Sequence, residues 1–424
     1  MKLVLPRYED TPVLGLPDRA WPITNSERMG AACPRKYLFS YIEGLRAKVD
    51  ATPLRWGTAW HLVMETIYGY WKERDEPCPM SRVERVLYDI DQEWTMNVGQ
   101  GLLDAEDTKK DLQRLRRCVQ GWIHVYGLDP LENFEVIAVE LAVSRPVLNP
   151  SSGKPYCPSM WVVEQNGVYR PARTTERWTA QTGDTTVKRV QWPMYQVGRL
   201  DFVLRHRHTG TIWGGDHKTS SRPESYLQGL SVDPQMPGYM WMLEGCVRRG
   251  LLEGVDPQSR IGGFFYEVAY SGMQHDPDLL KSGKLSTARK RKTPSWRFEM
   301  TAKALGLPLA EYDEHLRYLM DSIDPGFYLR EWMTVGPEQR HRYSKEIFAE
   351  AKRLSGLRRL AAQSKSEETY ETHPRVPVCR LPGGSCIYRG PCFEDGVNAR
   401  ANFNLAPSIT WNINKSTTGD SNGQ

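Results

Sequence analysis

Apolar residues recur with a helical period through the first third of the chain. Ser26 would cap the first helix, and Pro34 within its apolar pattern indicates either a kink or a start near Cys33. Four helices are predicted in this part, at about residues 26–45, 57–74, 81–98 and 107–126. The chain therefore begins with a helical part.

The period changes to two near residue 134, where β-branched residues become frequent. Strands are predicted at about 134–143, 196–205, 211–216 and 261–270. Further helices are predicted at about 235–249, 309–322 and 337–362. Helices, then strands mixed with helices, favour an α/β fold with a mixed central sheet flanked by helices.

Segments without a clear period divide the chain. Residues 1–25 are interpreted as an extended lead-in, and the polar residues 149–193 as an insertion or long hairpin on the sheet. Residues 271–297 are predicted to be a basic loop, and residues 406–424 a disordered tail rich in Ser, Thr and Asn. We expect residues 26–395 to form one domain with a Cys-rich C-terminal segment.

Composition narrows the class of protein. The 424 residues are 40% hydrophobic and 25% charged, which is typical of a soluble globular protein. A net charge of +5 excludes a histone-like polycation, so a nucleic-acid surface would need local clustering of basic residues. The sequence suggests neither a signal peptide nor a membrane span, so a cytoplasmic location is expected. There, the eight cysteines favour metal ligands or buried thiols over disulfides.

Two short motifs end neighbouring predicted strands. Asp201 closes the run Gly198-Arg199-Leu200-Asp201, and a second run leads into Asp216-His217-Lys218. Two carboxylates and a lysine at such strand ends can hold a divalent metal and stabilise a charged transition state, as metal-assisted phosphodiester cleavage requires. Each motif alone is short enough to be a surface hairpin with solvated charges.

Other polar residues follow a consistent order around these motifs. His61 lies near the start of the second predicted helix, and Glu140 lies on the first predicted strand. Gln235 and Tyr239 are four residues apart on the next helix, so they share one face. Each of these residues alone has an ordinary structural interpretation. For Glu140 both interpretations stay open, a metal ligand and an acid at the end of a strand.

This ordered set resembles the RecB-type branch of the PD-(D/E)XK nuclease superfamily over roughly residues 26–395. The resemblance implies a restriction-endonuclease-like sheet. It also implies that His61, Asp201, Asp216 and the main-chain carbonyl of His217 hold Mg²⁺ or Mn²⁺. Lys218 would then orient the attacking water or neutralise charge on the phosphate. By the same resemblance, Gln235 and Tyr239 would position the DNA backbone.

Three cysteines lie in a Gly/Pro-rich segment near the C-terminus, at Cys379, Cys386 and Cys392. With Cys33 they resemble the cysteines of iron–sulfur nucleases such as AddB and the CRISPR-adaptation exonucleases, which implies a 4Fe–4S cluster that joins the two ends of the domain. The spacing of six and then five residues departs from the usual C-x-x-C of those families. Zn²⁺ on the same thiolates, or unliganded cysteines, are the alternatives. The remaining cysteines are interpreted as buried thiols: Cys78, Cys118, Cys157 and Cys246.

Basic residues cluster in two places. A run at 281–292 is followed by Trp296, and both would suit a phosphate-tracking loop with a stacking aromatic. The last predicted helix adds Arg340, Arg342, Lys345, Lys352, Arg353, Arg358 and Arg359. These residues predict salt-sensitive, sequence-independent DNA binding.

The sequence thus predicts a metal-dependent exonuclease that acts on linear or single-stranded DNA in repair, recombination or phage DNA processing. The chain lacks a P-loop motif and therefore carries no helicase motor of its own, and a helicase or recombinase is a possible partner. Two alternatives stay open. One is a nuclease-fold DNA-binding or recombination partner without cutting activity. The other is a zinc-stabilised phosphodiesterase.

Overall fold

The computed structural model describes residues 12–42, 44–47, 52–165, 168–171, 185–230, 233–288 and 293–363, with short pieces at 380–381, 384–386, 392 and 403–405. The helices are α1 (Asn25–Gly30), α2 (Pro34–Tyr37), α3 (Thr52–Arg74), α4 (Met80–Gly99), α5 (Ala105–Tyr126), α6 (Pro223–Leu230), α7 (Gln235–Arg248), α8 (Ser295–Ala304), α9 (Asp313–Ser322) and α10 (Pro337–Gln363).

Thirteen strands are present in the described part of the chain. They are β1 (Trp21–Thr24), β2 (Leu45–Ala47), β3 (Phe134–Pro146), β4 (Ser159–Gln165), β5 (Val168–Pro171), β6 (Thr185–Gln191), β7 (Met194–His206), β8 (Ile212–Ser220), β9 (Ile261–Tyr270), β10 (Tyr328–Thr334), β11 (Arg380–Leu381), β12 (Gly384–Ser385) and β13 (Phe403–Leu405).

The central sheet is built around β7. β3 runs antiparallel along one side of this strand, and the other side is shared between β1, which is parallel to its first half, and β8, which is antiparallel to its second half. β9 continues the sheet parallel to β8, and β10 closes it antiparallel to β9. The predicted α/β class with a mixed sheet flanked by helices is therefore confirmed.

Helices cover both faces of this sheet, as its two buried clusters require. The residues of α3 and α5 form one apolar layer with the strands, including Trp60, Tyr68, Trp122, Phe202 and Phe265. The residues of α7 and α10 form the other layer, including Met240, Leu243, Tyr343, Leu200 and Phe264. On β9, Phe264 and Phe265 alternate between these layers, as a strand buried on both faces must.

Most predicted elements are confirmed, and the differences have local causes. The first helix is capped by Thr24, whose hydroxyl accepts from the Glu27 N–H, so the prediction of Ser26 as cap was wrong. The apolar run then breaks, and α2 starts at Pro34, which suits a first helical turn because its missing N–H has no partner to lose. Within the predicted insertion, the described strands β4, β5 and β6 form a separate antiparallel sheet in the order β5-β4-β6.

Among the longer elements, α6, α8 and β10 were not predicted, and the short strands β1 and β2 were not predicted either. The predicted loop 271–297 ends inside α8, and Trp296 is 1% exposed there, so the prediction of a stacking aromatic at this position was wrong. The run at 289–292 lies outside the described residues. In the part of the chain that the structure describes, no helix is long and apolar enough to cross a membrane.

Candidate metal centre

The two acids lie where β7 and β8 separate. The last paired residues of these strands are Phe202 and Gly215, and the next residue on each strand is Asp201 or Asp216. On the same side of β7, pairing with β1 ends at Val197. The sheet therefore has a gap between the ends of β1 and β8, and both carboxylates lie at its border.

Glycines make room for the packing around these acids. A Cβ at Gly215 would lie 1.9 Å from the Phe202 ring, and a Cβ at Gly198 would lie 2.8 Å from Cε1 of Tyr239. Real Cβ atoms do not approach that closely, so β8 can lie against Phe202, and α7 against β7, only because side chains are missing at these positions. The packing thus explains why glycine stands at positions 198 and 215.

Asp201 lies at the centre of the polar contacts. Its Oδ2 accepts a 2.6 Å hydrogen bond from the main-chain N–H of His217 and lies 3.2 Å from Nδ1 of His61. The Nζ of Lys218 forms an ion pair with Asp216. Both acids are buried, so their negative charges meet protein groups instead of bulk water. Five residues predicted from the sequence are thus close together.

Glu140 also belongs to this group. Ligand atoms of His61, Glu140 and Asp201 lie within 4.8 Å of one another, and this is the candidate metal-ligand cluster found among the described residues. The backbone of Glu140 has a φ of 49°, in the left-handed region that non-glycine residues rarely adopt. Arg199 balances the carboxylate with an ion pair of 3.1 Å. Such strain next to converging acids is typical of functional sites.

The acids and the histidine of this group compete for protons, as the shifts of their pKa values show. Burial raises the pKa of Glu140 to about 7, with a further contribution from Asp201 and a smaller opposing effect of Arg199. Burial also raises the pKa of Asp216. Burial would lower the pKa of His61, but the neighbouring Asp201 carboxylate raises it to about 9. Crowded acids of this kind bind a cation in place of protons.

The donor set fits a hard divalent cation. The cluster offers two carboxylates and one imidazole nitrogen, and Mg²⁺ and Mn²⁺ prefer oxygen ligands with occasional imidazole. The group contains no thiol, so it is less suited to a soft metal. The chemistry of the side chains therefore supports Mg²⁺ or Mn²⁺ at this place.

Gln235 and Tyr239 lie on α7 and are joined to each other, because the Gln235 amide donates a 2.7 Å hydrogen bond to the Tyr239 hydroxyl. Tyr239 stacks on Phe264 with a centroid distance of 5.9 Å. The close approach of Tyr239 to Gly198 brings this pair next to the strand that carries Asp201.

The sequence did not identify every residue at this border. The Tyr266 hydroxyl is buried without a hydrogen-bond partner among the described residues, on the strand position that pairs with Asp216. Glu65 lies near the same group: burial raises its pKa, and Arg199 and His61 partly offset this effect. Arg199 could have been noticed, since it lies within the motif that ends in Asp201, whereas Tyr266 has no signal in an apolar strand.

A second polar group lies behind the site, on the face of the sheet covered by α3. Nδ1 of His217 is 2.9 Å from Oε2 of Glu267, and Nε of Arg330 is 2.5 Å from Oε1 of the same carboxylate. Burial alone would raise the pKa of Glu267, but Arg330 and His217 lower it to about 2. Glu267 is therefore a buried carboxylate that stays ionised.

The described cysteines do not form a ligand group. Cys33 is buried at the start of α2, and Cys386 and Cys392 pack against the N-terminal cluster of Leu38, Phe39 and Leu45. Arg35 donates a 3.1 Å hydrogen bond to the Cys392 carbonyl. Cys379 lies outside the described residues, so the four-cysteine site stays a prediction.

Part of the prediction of the DNA-binding surface is wrong. Arg340 is 7% exposed and pairs with Glu244, and Arg358 is 0% exposed and pairs with Glu27. These arginines attach α10 to α7 and to the N-terminal helix α1, so they cannot reach a phosphate. The exposed basic residues of this helix are Arg342, Lys345, Lys352, Arg353 and Arg359.

Comparison with known proteins agrees with the geometry. The family model described as the PD-(D/E)XK nuclease superfamily matches residues 28–393, which is most of the chain. The matched region contains all the acids of the candidate metal centre. No curated protein matches the chain.

Proposed function

The chain belongs to the PD-(D/E)XK nuclease superfamily, and from this premise we propose that it is a metal-dependent exonuclease that hydrolyses phosphodiester bonds of linear or single-stranded DNA. The superfamily implies a nuclease that uses a divalent metal such as Mg²⁺ or Mn²⁺. The observation that carries the proposal is the convergence of His61, Glu140 and Asp201, beside the pair of Asp216 and Lys218.

In this proposal the metal is held by Asp201, Asp216 and His61, with Glu140 beside them and the main-chain carbonyl of His217 as a further ligand. An ion held there would supply Lewis-acid chemistry, polarising the scissile phosphate and lowering the pKa of a bound water. The hydrogen bond from the His217 N–H fixes the Asp201 carboxylate, so little reorganisation is needed when charge develops.

Lys218 supplies positive charge at the phosphate. Its ammonium lies against Asp216, on the face of the sheet covered by α7, and a neighbouring carboxylate keeps it protonated. A protonated lysine neutralises the charge that builds on the phosphate oxygens, or donates to the attacking water. Removing one such electrostatic group typically costs about 100-fold or more in rate.

Gln235 and Tyr239 would guide the DNA backbone along α7. Their hydrogen bond to each other pre-orients both side chains at the border of the site. The resemblance to the RecB-type branch adds three parts to the proposal. These are cutting from DNA ends, a role in repair, recombination or phage DNA processing, and a helicase or recombinase partner. The proposed cytoplasmic location rests on the sequence pattern instead.

A 4Fe–4S cluster on Cys33, Cys379, Cys386 and Cys392 is proposed as the C-terminal clamp, with Zn²⁺ as the alternative metal. The packing of Cys386 and Cys392 against the N-terminal cluster supports such a connection. Anaerobically purified protein should be brown and absorb near 400 nm, and Cys386→Ala should lose that absorbance. Colourless protein with stoichiometric zinc would favour the alternative metal.

The main test is cleavage of end-labelled linear DNA with Mg²⁺ or Mn²⁺. Asp216→Ala and Lys218→Ala should each lose at least about 100-fold in rate. Asp321→Ala and Lys303→Ala are matched controls, because both residues are exposed on helices away from the acids, and these variants should cut like the wild type. Wild-type rates for Asp216→Ala and Lys218→Ala would refute the assignment. Wild-type protein that binds DNA and never cuts it would favour a binding partner instead.

A further inference from the structure

We propose that Glu267 and Arg330 are positioning residues for the metal centre, and that they act through His217. This inference rests on the proposed function of the Asp201 and Asp216 site. The residues concerned lie on the opposite face of the sheet and touch neither the proposed metal nor DNA. They fix the strand that carries the site.

The three side chains form a row across three neighbouring strands. In the pairing of β8 with β9, His217 lies opposite Glu267, and in the pairing of β9 with β10, Glu267 lies opposite Arg330. Directly paired residues point to the same face of a sheet. Because side chains alternate along β8, the face that carries this row is opposite to the face of Asp216 and Lys218.

The row is buried and held by close contacts. The His217 and Glu267 side chains are 2% and 3% exposed, and Glu267 joins His217 at 2.9 Å to Arg330 at 2.5 Å. Tyr68 of α3 packs edge-on against the His217 ring at a centroid distance of 4.8 Å. The Arg330 guanidinium lies 3.7 Å from the ring centroid of Tyr126. Neither end of the row can shift without displacing these aromatic rings.

Stability is a weak reason for such a row. Taking an ion pair out of water is costly, and apolar residues of similar volume often stabilise a core equally well. The better-supported benefit of a buried polar contact is that it fixes one arrangement. Here the arrangement that it fixes is the position of His217 along β8.

The position of His217 determines the geometry of the site. Its main-chain N–H donates the 2.6 Å hydrogen bond that holds Asp201. Its peptide groups connect directly to Asp216 and Lys218 on either side. A small rotation of the His217 backbone would therefore move both acids relative to each other and turn the carbonyl that is proposed as a metal ligand. Groups that orient metal ligands in this way typically change metal affinity or activity by about 10- to 100-fold when they are lost.

The test is Mn²⁺ binding measured by calorimetry, beside single-turnover cleavage of linear DNA at saturating Mn²⁺. Glu267→Gln keeps the size of the side chain and removes its charge. It should raise the Mn²⁺ dissociation constant about tenfold or more, with DNA binding in the absence of metal unchanged. Arg330→Lys keeps the charge and should give a smaller increase. It carries the same test if Glu267→Gln does not fold.

Glu244→Gln is the matched control. Glu244 is also a buried carboxylate with arginine partners, but it lies on α7 and contacts none of the residues of the row. This variant should keep the Mn²⁺ affinity of the wild type. Equal Mn²⁺ affinity in Glu267→Gln and wild type, or equal losses in Glu267→Gln and Glu244→Gln, would overturn the inference. Wild-type protein that binds Mn²⁺ and cuts no DNA would refute the proposed function, while the binding comparison would still test the row.

Discussion

Replacing Glu140 by Gln should stabilise the metal-free protein and weaken its binding of Mn²⁺. The Glu140 side chain is partly buried, at 20% exposed. This burial, together with Asp201 and Glu65 nearby, raises its pKa from 4.5 to about 7. A carboxyl with a raised pKa favours the folded state while it is protonated and opposes folding when it is ionised. Gln has a similar shape and no charge, so it removes this conflict.

The magnitude follows from the pKa. The folded-state value is above the unfolded one, so the stabilising effect of the proton is complete below pH 4.5 and is lost as the pH rises through about 7. Each pKa unit corresponds to about 1.4 kcal/mol. The ionised carboxyl therefore costs on the order of 3 kcal/mol near pH 8 and on the order of 1 kcal/mol near pH 5. The advantage of the Gln variant should grow by about 2 kcal/mol between these conditions.

The assay is urea unfolding followed by tryptophan fluorescence, with EDTA present, near pH 5 and near pH 8. Glu135→Gln is the matched control, because Glu135 lies on the same strand and also pairs with an arginine, Arg205, but lies away from the acids. This control should show little change with pH. A Glu140→Gln variant that is less stable than the wild type, or whose advantage does not change with pH, would contradict the reasoning.

Three further predictions use other parts of the structure. Mn²⁺ binding near pH 8 should release close to one proton, because the pKa of His61 is raised to about 9 and that of Glu140 only to about 7. Calorimetry in buffers of different ionisation enthalpy measures the release, and binding without proton release would contradict the role of His61. Gly215→Ala should lower the free energy of unfolding by about 1–3 kcal/mol, because the new Cβ would overlap the Phe202 ring. In urea unfolding, adding Phe202→Leu should recover part of this loss, and no recovery would exclude the clash. Arg358→Met should lower the free energy of unfolding by about 3–5 kcal/mol, since it leaves the buried Glu27 carboxylate without its ion-pair partner. The Mn²⁺ affinity of the folded variant should equal that of the wild type, and a variant as stable as the wild type would show that the pair is dispensable.

The sequence predicted the parts of the site that follow from local pattern. Asp201, Asp216 and Lys218 could be located because strand periodicity and glycines mark the ends of two neighbouring strands. The helices could be predicted for the same reason, since their apolar positions recur over many turns. Short elements such as β1, with four residues, depend on a partner strand far along the chain and give no such signal.

The parts that could not be predicted depend on long-range contacts. The sequence could not decide whether Glu140 is a metal ligand or a strand-end acid, because the residue type does not reveal its unusual backbone angle or its neighbours. Arg358 has the sequence pattern of a solvated helix face, yet its partner Glu27 lies 331 residues away. The row of His217, Glu267 and Arg330 becomes visible only once the register of three strands is known.

The central claim is that a divalent cation, bound where β7 and β8 separate, is required for DNA cleavage. The most direct measurement is the position of Mn²⁺ in crystals of the protein, located by its anomalous scattering at a concentration that supports cleavage. We predict Mn²⁺ bound to the carboxylates of Asp201 and Asp216 and within reach of His61 and Glu140. Mn²⁺ bound elsewhere, with these acids free of metal while the protein still cuts DNA, would contradict the account.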